Sequence, residues 1–201
     1  TQDSNGRVAV ECLAGENRLV IAGEIGGLAE VDFEKIARGQ IKRLGYTSTK
    51  FNFSDQSPIS VYVHEQSQEI AVGVKNKGAG DQGIMFGYAC SETEEYMPLP
   101  ITLAHKLVKR MAEVRRGNIL KYLGPDCKSQ VTVEYDDGEA KRVDSVVLAC
   151  QHTDDILDST GKHITLKARQ EMIDVIAKPI LKNLIDKNTK YYVNQTGKFV
   201  I

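Results

Sequence analysis

The 201-residue sequence has no tryptophan, only 5 prolines and only 4 cysteines, at Cys12, Cys90, Cys127 and Cys150. It has no apolar run near the ~20 residues that a membrane-spanning helix needs, and its start shows no basic segment followed by an apolar one. We therefore expect no membrane segment and no secretory signal. The cysteines form no C-x-x-C pair and have no histidine at zinc-binding spacing, so we expect reduced thiols in a cytoplasmic protein.

An excess of charge of one sign is also lacking. The sequence has 26 Lys and Arg against 27 Asp and Glu, a formal net charge of -1. This balance gives no electrostatic reason to expect nucleic acid or an anionic membrane as the main partner. The length and the 41% of hydrophobic residues suffice for one large domain or two small ones with real cores.

Two stretches of the sequence predict the same succession of elements. RVAVECLAGENRLVIAGEI indicates a hairpin around Gly15-Glu16-Asn17, and KSQVTVEYDDGEAKRVDSVVLACQH indicates one around Asp136-Asp137-Gly138. A helical apolar pattern follows each hairpin. The first has Asp32 as its N-cap and Gly45 as its stop, and the second contains Pro179, which should kink or split it. Strand-like segments, ISVYVHE and KYYVNQTGKFVI, come next. We expect an α+β fold of two related units, each a sheet with one helix layer.

Burial can be predicted for a few positions. Between the two units, PITLAHKLVKRMAEVRRG predicts a further helix whose buried stripe comprises Ile101, Ala104, Leu107, Val108 and Met111. Cys12 and Cys150 stand inside apolar strand patterns, so we expect both of them to be small buried hydrophobic residues.

Residues 78–83, GAGDQG, match the dinucleotide-binding pattern G-x-G-x-x-G. That chemistry needs a helix directly after the glycines, whereas IMFGYACSETEEYMPLP follows here. No Lys-Ser/Thr follows either, which excludes a P-loop. The glycines could let the backbone approach a ligand held by Asp81, but spacing alone favours a structural turn with Asp81 as its Asx residue.

The longer stretch GAGDQGIMFGYACSETEEYMPLPITLAHKL strongly resembles the signature segment of methionine adenosyltransferase (S-adenosylmethionine synthetase). The resemblance continues in AEVRRGN, LGPDCKSQVTVEYDDG, VVLACQHTDDI and NQTGKFVI, so it covers essentially the whole chain. It implies an α+β fold of pseudo-symmetric repeats, each a mainly antiparallel sheet covered by helices. Residues 1–75 resemble a truncated N-terminal repeat with a gating loop near 66–78, and residues 79–201 resemble the central repeat.

The resemblance also implies a reaction. The sulfur of L-methionine attacks C5′ of ATP, and the triphosphate leaves and is hydrolysed to phosphate and diphosphate. Cations must neutralise the leaving group. The resemblance implies Mg²⁺ and K⁺ as cofactors. The implied assembly is a homodimer or dimer of dimers with active sites shared between subunits. The family's His-Pro-Asp-Lys segment and its C-terminal repeat are not in this sequence. We therefore expect a fragment with negligible activity of its own.

Two alternatives remain open at this point. The chain could be an inactive or truncated paralogue that binds nucleotide or partners a full-length subunit. It could also be a structural module without a ligand, although several retained site residues argue against that.

Six residues match the family's ATP-binding positions. The resemblance implies that Lys128 contacts the ATP phosphates and that its neighbours Asp126 and Cys127 belong to the same ATP-binding segment. It implies that Lys198 and Phe199 lie at the adenine end and that Asp81 contacts the nucleoside. Asp81 and Lys128 are the ones implied to take part in catalysis. Without the resemblance, Lys128 would be better interpreted as an exposed lysine at the start of a strand. Phe199 would be better interpreted as a core aromatic residue. Lys198 stands where arginine is common, so a fork-shaped contact becomes a single charge.

Three further residues match the positions that hold methionine and potassium. The resemblance implies that Glu24 holds the methionine ammonium, that Gln66 contacts methionine and that Glu11 belongs to the potassium site. The two glutamates would otherwise pass as ordinary outward strand positions. The gating loop after Gln66 is shorter than in bacterial members and lacks their SPDI beginning, so it departs from the pattern that the resemblance links to gating and water exclusion.

Overall fold

The structure is a computed structural model that describes residues 6–27, 30–66 and 82–199. The chain folds as two compact units, Thr1–Phe86 and Gly87–Ile201.

Among its described residues, 6–27, 30–66 and 82–86, the first unit contains a three-stranded sheet and one α-helix. Its elements are β1 (Arg7–Gly15), β2 (Arg18–Gly26), α1 (Phe33–Leu44) and β3 (Ile59–Glu65), with strand order β1-β2-β3. Strands β1 and β2 are antiparallel, and β3 runs parallel to β2. The turn between β1 and β2 has positive φ at both central residues, 43° at Glu16 and 61° at Asn17, which suits the right-handed twist of a hairpin. The first predicted hairpin is therefore confirmed.

Helix α1 begins and ends where the sequence predicts. The Asp32 side chain accepts a hydrogen bond from the Lys35 backbone N–H at 2.9 Å, and Gly45 closes the helix with a left-handed φ of 98°. The helix buries Ile41 against Leu19 and Ile21 of β2. This small core lies on one face of the sheet.

The second unit repeats this topology on a larger scale. Its elements are α2 (Leu99–Arg116), β4 (Leu123–Asp136), β5 (Glu139–His152), α3 (Leu166–Met172), a π-helical turn (Ile173–Ala177), α4 (Lys178–Leu181) and β6 (Lys190–Val193). Strands β4 and β5 form the second predicted hairpin, and β6 adds parallel to β5. Each unit thus contains an antiparallel hairpin, a helical connection and a third, parallel strand, and in the second unit α2 precedes the hairpin. This confirms the α+β class and the repeated unit.

Pro179 interrupts the helical connection of the second unit, as predicted. Because proline has no N–H, it cannot donate to the carbonyl of Val175, four residues earlier. The helix passes through the π-helical turn just before this point. The Val175 carbonyl accepts a hydrogen bond from Arg110 Nε of α2 at 3.2 Å. Arg110 of α2 therefore contacts the helical connection at a carbonyl that Pro179 cannot serve.

Two predictions of burial were wrong. Ile101 is 41% exposed, and the residues of α2 that are buried are Thr102, Leu103, Leu107, Met111 and Val114. The buried face of α2 is therefore rotated from the predicted stripe, although Leu107 and Met111 belong to both. Cys12 is exposed because it lies on β1, at the edge of its sheet, whereas α1 packs on β2. Cys150, on the central strand β5, is 1% exposed as expected.

None of the helices in the described part of the chain is both long and apolar enough to cross a bilayer.

Candidate functional site

Lys128 and Phe199, predicted to bind the two ends of ATP, meet in the second unit. The Lys128 ammonium nitrogen lies 5.3 Å from the centre of the Phe199 ring, within the range of a cation–π contact. Lys128 is exposed on β4, and Phe199 is half-buried beyond β6. Within the described part of the chain, Lys128 forms no ion pair with a carboxylate. Its positive charge is therefore available beside an aromatic ring.

The segment after β6 is folded back so that Phe199 can reach β4. Asn194, with φ 44°, turns the chain, and its side chain accepts from the Cys150 N–H at 2.9 Å and donates to the Cys150 carbonyl at 2.8 Å. Gly197 continues the turn with φ 112°, which a side chain would strain. The Lys198 N–H then donates to the Lys162 carbonyl at 2.8 Å. These bonds fix the path of residues 194–198.

His152, the last residue of β5, holds the backbone of Phe199 from two sides. The His152 N–H donates to the Phe199 carbonyl at 3.0 Å, and the Phe199 N–H donates to His152 Nε2 at 3.1 Å. His152 Nδ1 lies 2.8 Å from the Thr153 carbonyl. A nitrogen that meets a carbonyl carries the proton, and one that meets an N–H does not. In this arrangement the imidazole, which is 0% exposed, donates through Nδ1 and accepts through Nε2.

Gln151, the residue before His152, holds the start of β4, where Asp126, Cys127 and Lys128 were predicted to bind ATP. Its Oε1 accepts from the Asp126 N–H at 3.0 Å, and its side chain is 0% exposed. Gly124 makes this possible, since a Cβ at that position would lie 2.6 Å from Gln151 Oε1. The start of β4 is therefore fixed next to Lys128 by a buried amide.

Cys127 and Lys128 point to opposite faces of β4, as neighbours on a strand must. The Cys127 side chain lines a small recess that also contains Met111, Arg115 and Cys150. Burial, and then the nearby Asp126 carboxylate, raise the pKa of the Cys127 thiol. A ligand beside Lys128 can therefore meet Cys127 only through its backbone.

Lys198 already has an anionic partner. Its Nζ lies 2.7 Å from Asp154 Oδ1, and both side chains are substantially exposed. A ligand phosphate would have to compete with this carboxylate for the ammonium group.

The predicted methionine and potassium residues lie in the first unit. Glu11 and Glu24 occupy the face of the sheet that α1 leaves open, because their register partners are Ala22 and Ala9 on that same face. Glu24 Oε1 lies 3.3 Å from His64 Nε2. Gln66 donates its N–H to the Ile25 carbonyl at 2.8 Å. Its buried Oε1 has no hydrogen-bond partner among the described residues.

The remaining predicted positions lie outside the described residues. These are Asp81 and the gating loop beyond Gln66. Within residues 6–27, 30–66 and 82–199, no three His, Cys, Asp or Glu side chains gather into a possible metal site.

The fold defines an α+β protein built from two related units, and the second unit carries the Lys128 ammonium beside the Phe199 ring. Sequence comparison identifies its family. The profile of the S-adenosylmethionine synthetase central domain matches residues 76–199, and that of the N-terminal domain matches residues 1–68. The chain therefore belongs to the S-adenosylmethionine synthetase family.

Two relatives illustrate the similarity. The chain is 44% identical over 214 residues to an S-adenosylmethionine synthase of Brachyspira hyodysenteriae, covering 100% of the chain and 53% of the relative. It is 46% identical over 209 residues to an S-adenosylmethionine synthase of Desulfosudis oleivorans, covering 100% of the chain and 52% of that relative. The chain thus spans about half the length of the curated relatives it matches.

Sequence reasoning missed Gln151, His152 and Asp154. The available signal was a polar pair, Gln-His, directly after the apolar run VVLAC at the end of a strand. Buried polar groups need partners, so such a pair at the end of a central strand indicates fixed hydrogen bonds.

Proposed function

We propose that the protein is a methionine adenosyltransferase, which forms S-adenosylmethionine from ATP and L-methionine and releases phosphate and diphosphate. The observation that carries the proposal is the Lys128 ammonium, unpaired by any described carboxylate and 5.3 Å from the Phe199 ring. A nucleoside triphosphate needs a flat surface for its base and positive charge for its phosphates. The identities of 44% and 46% to S-adenosylmethionine synthases support the same assignment.

In this proposal, the second unit binds ATP. Phe199 stacks on adenine, and Lys128 neutralises the charge that grows on the triphosphate as its bond to C5′ breaks. Lys198 exchanges Asp154 for a phosphate oxygen. Asp126 and Cys127 contribute through their backbone at the start of β4, and Asp81 is retained as a nucleoside contact and catalytic residue.

The first unit supplies the methionine contacts. Glu24 pairs with the substrate ammonium in a charge-assisted contact. In the structure, His64 Nε2 lies 3.3 Å from Glu24 Oε1, in the place proposed for that ammonium. Gln66 offers a buried Oε1 that lacks a partner among the described residues, and a methionine N–H can satisfy it. These two residues therefore account for the amino-acid end of the substrate.

The proposal includes Mg²⁺ and K⁺ as cofactors. The described residues do not fit a complete site for either ion, because no three metal-ligating side chains come together there. Glu11 offers a single exposed carboxylate for K⁺.

The proposed assembly is a cytoplasmic homodimer or dimer of dimers. The open face of the first sheet supports it, since Leu13 and Tyr62 on that face are 73% and 67% exposed. We also propose the domain division 1–75 and 79–201.

The test is the formation of S-adenosylmethionine from ATP, L-methionine, Mg²⁺ and K⁺, followed by mass spectrometry. It uses the protein isolated with its natural termini, and intact mass establishes its length. ATP binding by the 201-residue chain is measured in parallel by calorimetry. Product formation is expected from the protein with its natural termini, and ATP binding with negligible turnover is expected from the 201-residue chain alone. A folded protein with its natural termini that binds ATP without turnover would favour the nucleotide-binding paralogue, and one that binds no ATP would refute the assignment.

A further inference from the structure

We infer that His152 is a positioning residue that sets the adenine-binding ring of Phe199, an inference that rests on the proposed function. It acts on Phe199 through the backbone and touches no substrate itself. Its effect should therefore appear in the recognition of the base and not in that of the phosphates.

The first argument is the two-sided hydrogen bonding of Phe199. Both polar backbone atoms of Phe199 are bonded to His152, the N–H to the ring nitrogen at 3.1 Å and the carbonyl to the His152 N–H at 3.0 Å. Two bonds to one residue fix both the position and the rotation of the Phe199 backbone. The direction of the Cα–Cβ bond, and with it the face of the ring, follows.

The second argument is the restraint on the imidazole itself. His152 is 0% exposed, and its Nδ1 is held by the Thr153 carbonyl at 2.8 Å. The ring cannot rotate without breaking that bond and burying an unsatisfied N–H. Nε2 is therefore presented to Phe199 as an acceptor in one orientation.

The third argument is the position of Phe199 beyond the last strand. Strand β6 ends at Val193, so Phe199 is not held by a regular ladder with β6. The chain between them is tied to Cys150 and Lys162 through Asn194 and Lys198. The bonds to His152 are the described hydrogen bonds made by the backbone of Phe199 itself. The geometry of the Lys128–Phe199 pair consequently depends on His152.

Two conservative substitutions separate the roles of the ring nitrogens. Glutamine can place its amide near the position of Nε2 and accept from Phe199, whereas asparagine reaches only the position of Nδ1. We expect His152→Asn to free the Phe199 N–H and His152→Gln to keep it bonded. Amide hydrogen exchange of Phe199, followed by NMR without any ligand, should be accelerated at least tenfold in His152→Asn and by less than threefold in His152→Gln.

The functional readout compares ATP with inorganic triphosphate, which lacks the base. Stacking of a base on an aromatic side chain corresponds to about 5- to 140-fold in affinity. Calorimetry should show that His152→Asn weakens ATP binding by about this factor and changes triphosphate binding by less than twofold. His152→Gln should bind both as the unchanged chain does. In a Phe199→Leu background, His152→Asn should cause no further loss.

His105→Leu, on the exposed face of α2, serves as the matched control, and thermal melts confirm that each variant is folded. Equal losses for ATP and triphosphate in a folded His152→Asn variant would show a merely structural role and overturn the inference. So would unchanged ATP binding. If His152→Asn fails to fold, a His152→Gln variant with accelerated exchange at Phe199 and normal ATP affinity would overturn it. Failure of the unchanged chain to bind ATP would refute the proposed function first, and the inference with it.

Discussion

The ammonium group of Lys128 and the ring of Phe199 lie 5.3 Å apart although 71 positions separate them in the sequence. The two residues come from the first strand of the second sheet and from the chain beyond its last strand. A central strand, β5, lies between these elements and supplies the two buried side chains, Gln151 and His152, that fix each of them. The candidate site is therefore assembled around the end of β5.

Removing the cation should weaken binding of every phosphate ligand. We expect Lys128→Ala to lower the affinity for ATP and for inorganic triphosphate by a similar factor, about tenfold, because a charge-assisted contact is lost. In the complete enzyme, turnover should fall as well. Calorimetry gives the affinities, and Lys141→Ala, at the hairpin end of β5, serves as the control. Unchanged affinity for both ligands would remove Lys128 from the site.

Releasing Lys198 from Asp154 should have the opposite effect. Asp154→Asn removes the carboxylate that lies 2.7 Å from the Lys198 ammonium. We expect the affinity for triphosphate to rise a few-fold at low ionic strength and the gain to shrink with added salt, since exposed charges are screened. Titration at two salt concentrations checks this. A loss of affinity would show that Asp154 supports the ligand instead of competing with it.

Gly124 should tolerate no side chain. In Gly124→Ala, the new Cβ would lie 2.6 Å from Gln151 Oε1, and Gln151 is fully buried and cannot move into solvent. We expect the free energy of unfolding to fall by about 1–3 kcal/mol, as for other overpacked sites. Urea denaturation measures it. Gly39→Ala is the matched control: nothing lies within 4 Å of its Cβ position in α1, so it should be neutral or stabilising.

The cysteines should react with an alkylating reagent in an order set by burial. Cys12 is exposed and should be labelled first. Burial, as the main cause, raises the pKa of the Cys150 thiol to about 12, so at pH 8 only about one thiol in ten thousand is ionised. Peptide mass spectrometry of the native protein follows the reaction. Rapid labelling of Cys150 in a Cys12→Ser variant would contradict this order.

Acid should remove a stabilising contribution of Glu92. Its carboxylate accepts from Tyr135 Oη at 2.5 Å and from the Leu99 N–H at the start of α2 at 3.1 Å. These bonds, that of Tyr135 first, lower the pKa of Glu92 below its ordinary value of 4.5. The unfolded chain therefore takes up the proton first as the pH falls. The contribution is complete above about pH 4.5 and is lost as the pH passes through the lowered pKa.

Thermal melts between pH 7 and pH 3 test this contribution. The midpoint temperature of Glu92→Gln should lie below that of the unchanged chain at pH 7, and the difference should shrink toward pH 3. Glu94→Gln, at an exposed neighbouring position, is the control. A difference that grows in acid would mean that the sign is wrong.

Local patterns in the sequence were sufficient for the hairpins and helix ends. The turns at Glu16-Asn17 and Asp137-Gly138 need positive φ at both central residues, and α1 begins at a side-chain cap and ends at a glycine. Such features depend on residues a few positions apart, so they can be read from the chain. The exposure of Ile101 and Cys12 could not be predicted in this way. It depends on which side of α2 meets the sheet and on which strand lies at the edge.

The candidate site divides in the same way. The resemblance of short segments to one family was enough to select Lys128, Lys198 and Phe199, since the type of each residue is visible in the sequence. Only the tertiary structure decided that Cys127 lies on the face of β4 that packs against α2, that Lys198 is paired with Asp154, and that His152 holds Phe199. The physical reason is that these relations arise from strand pairing and chain reversal between residues distant in sequence. Side-chain chemistry is a property of the chain, whereas the direction and partner of a side chain are properties of the packed fold.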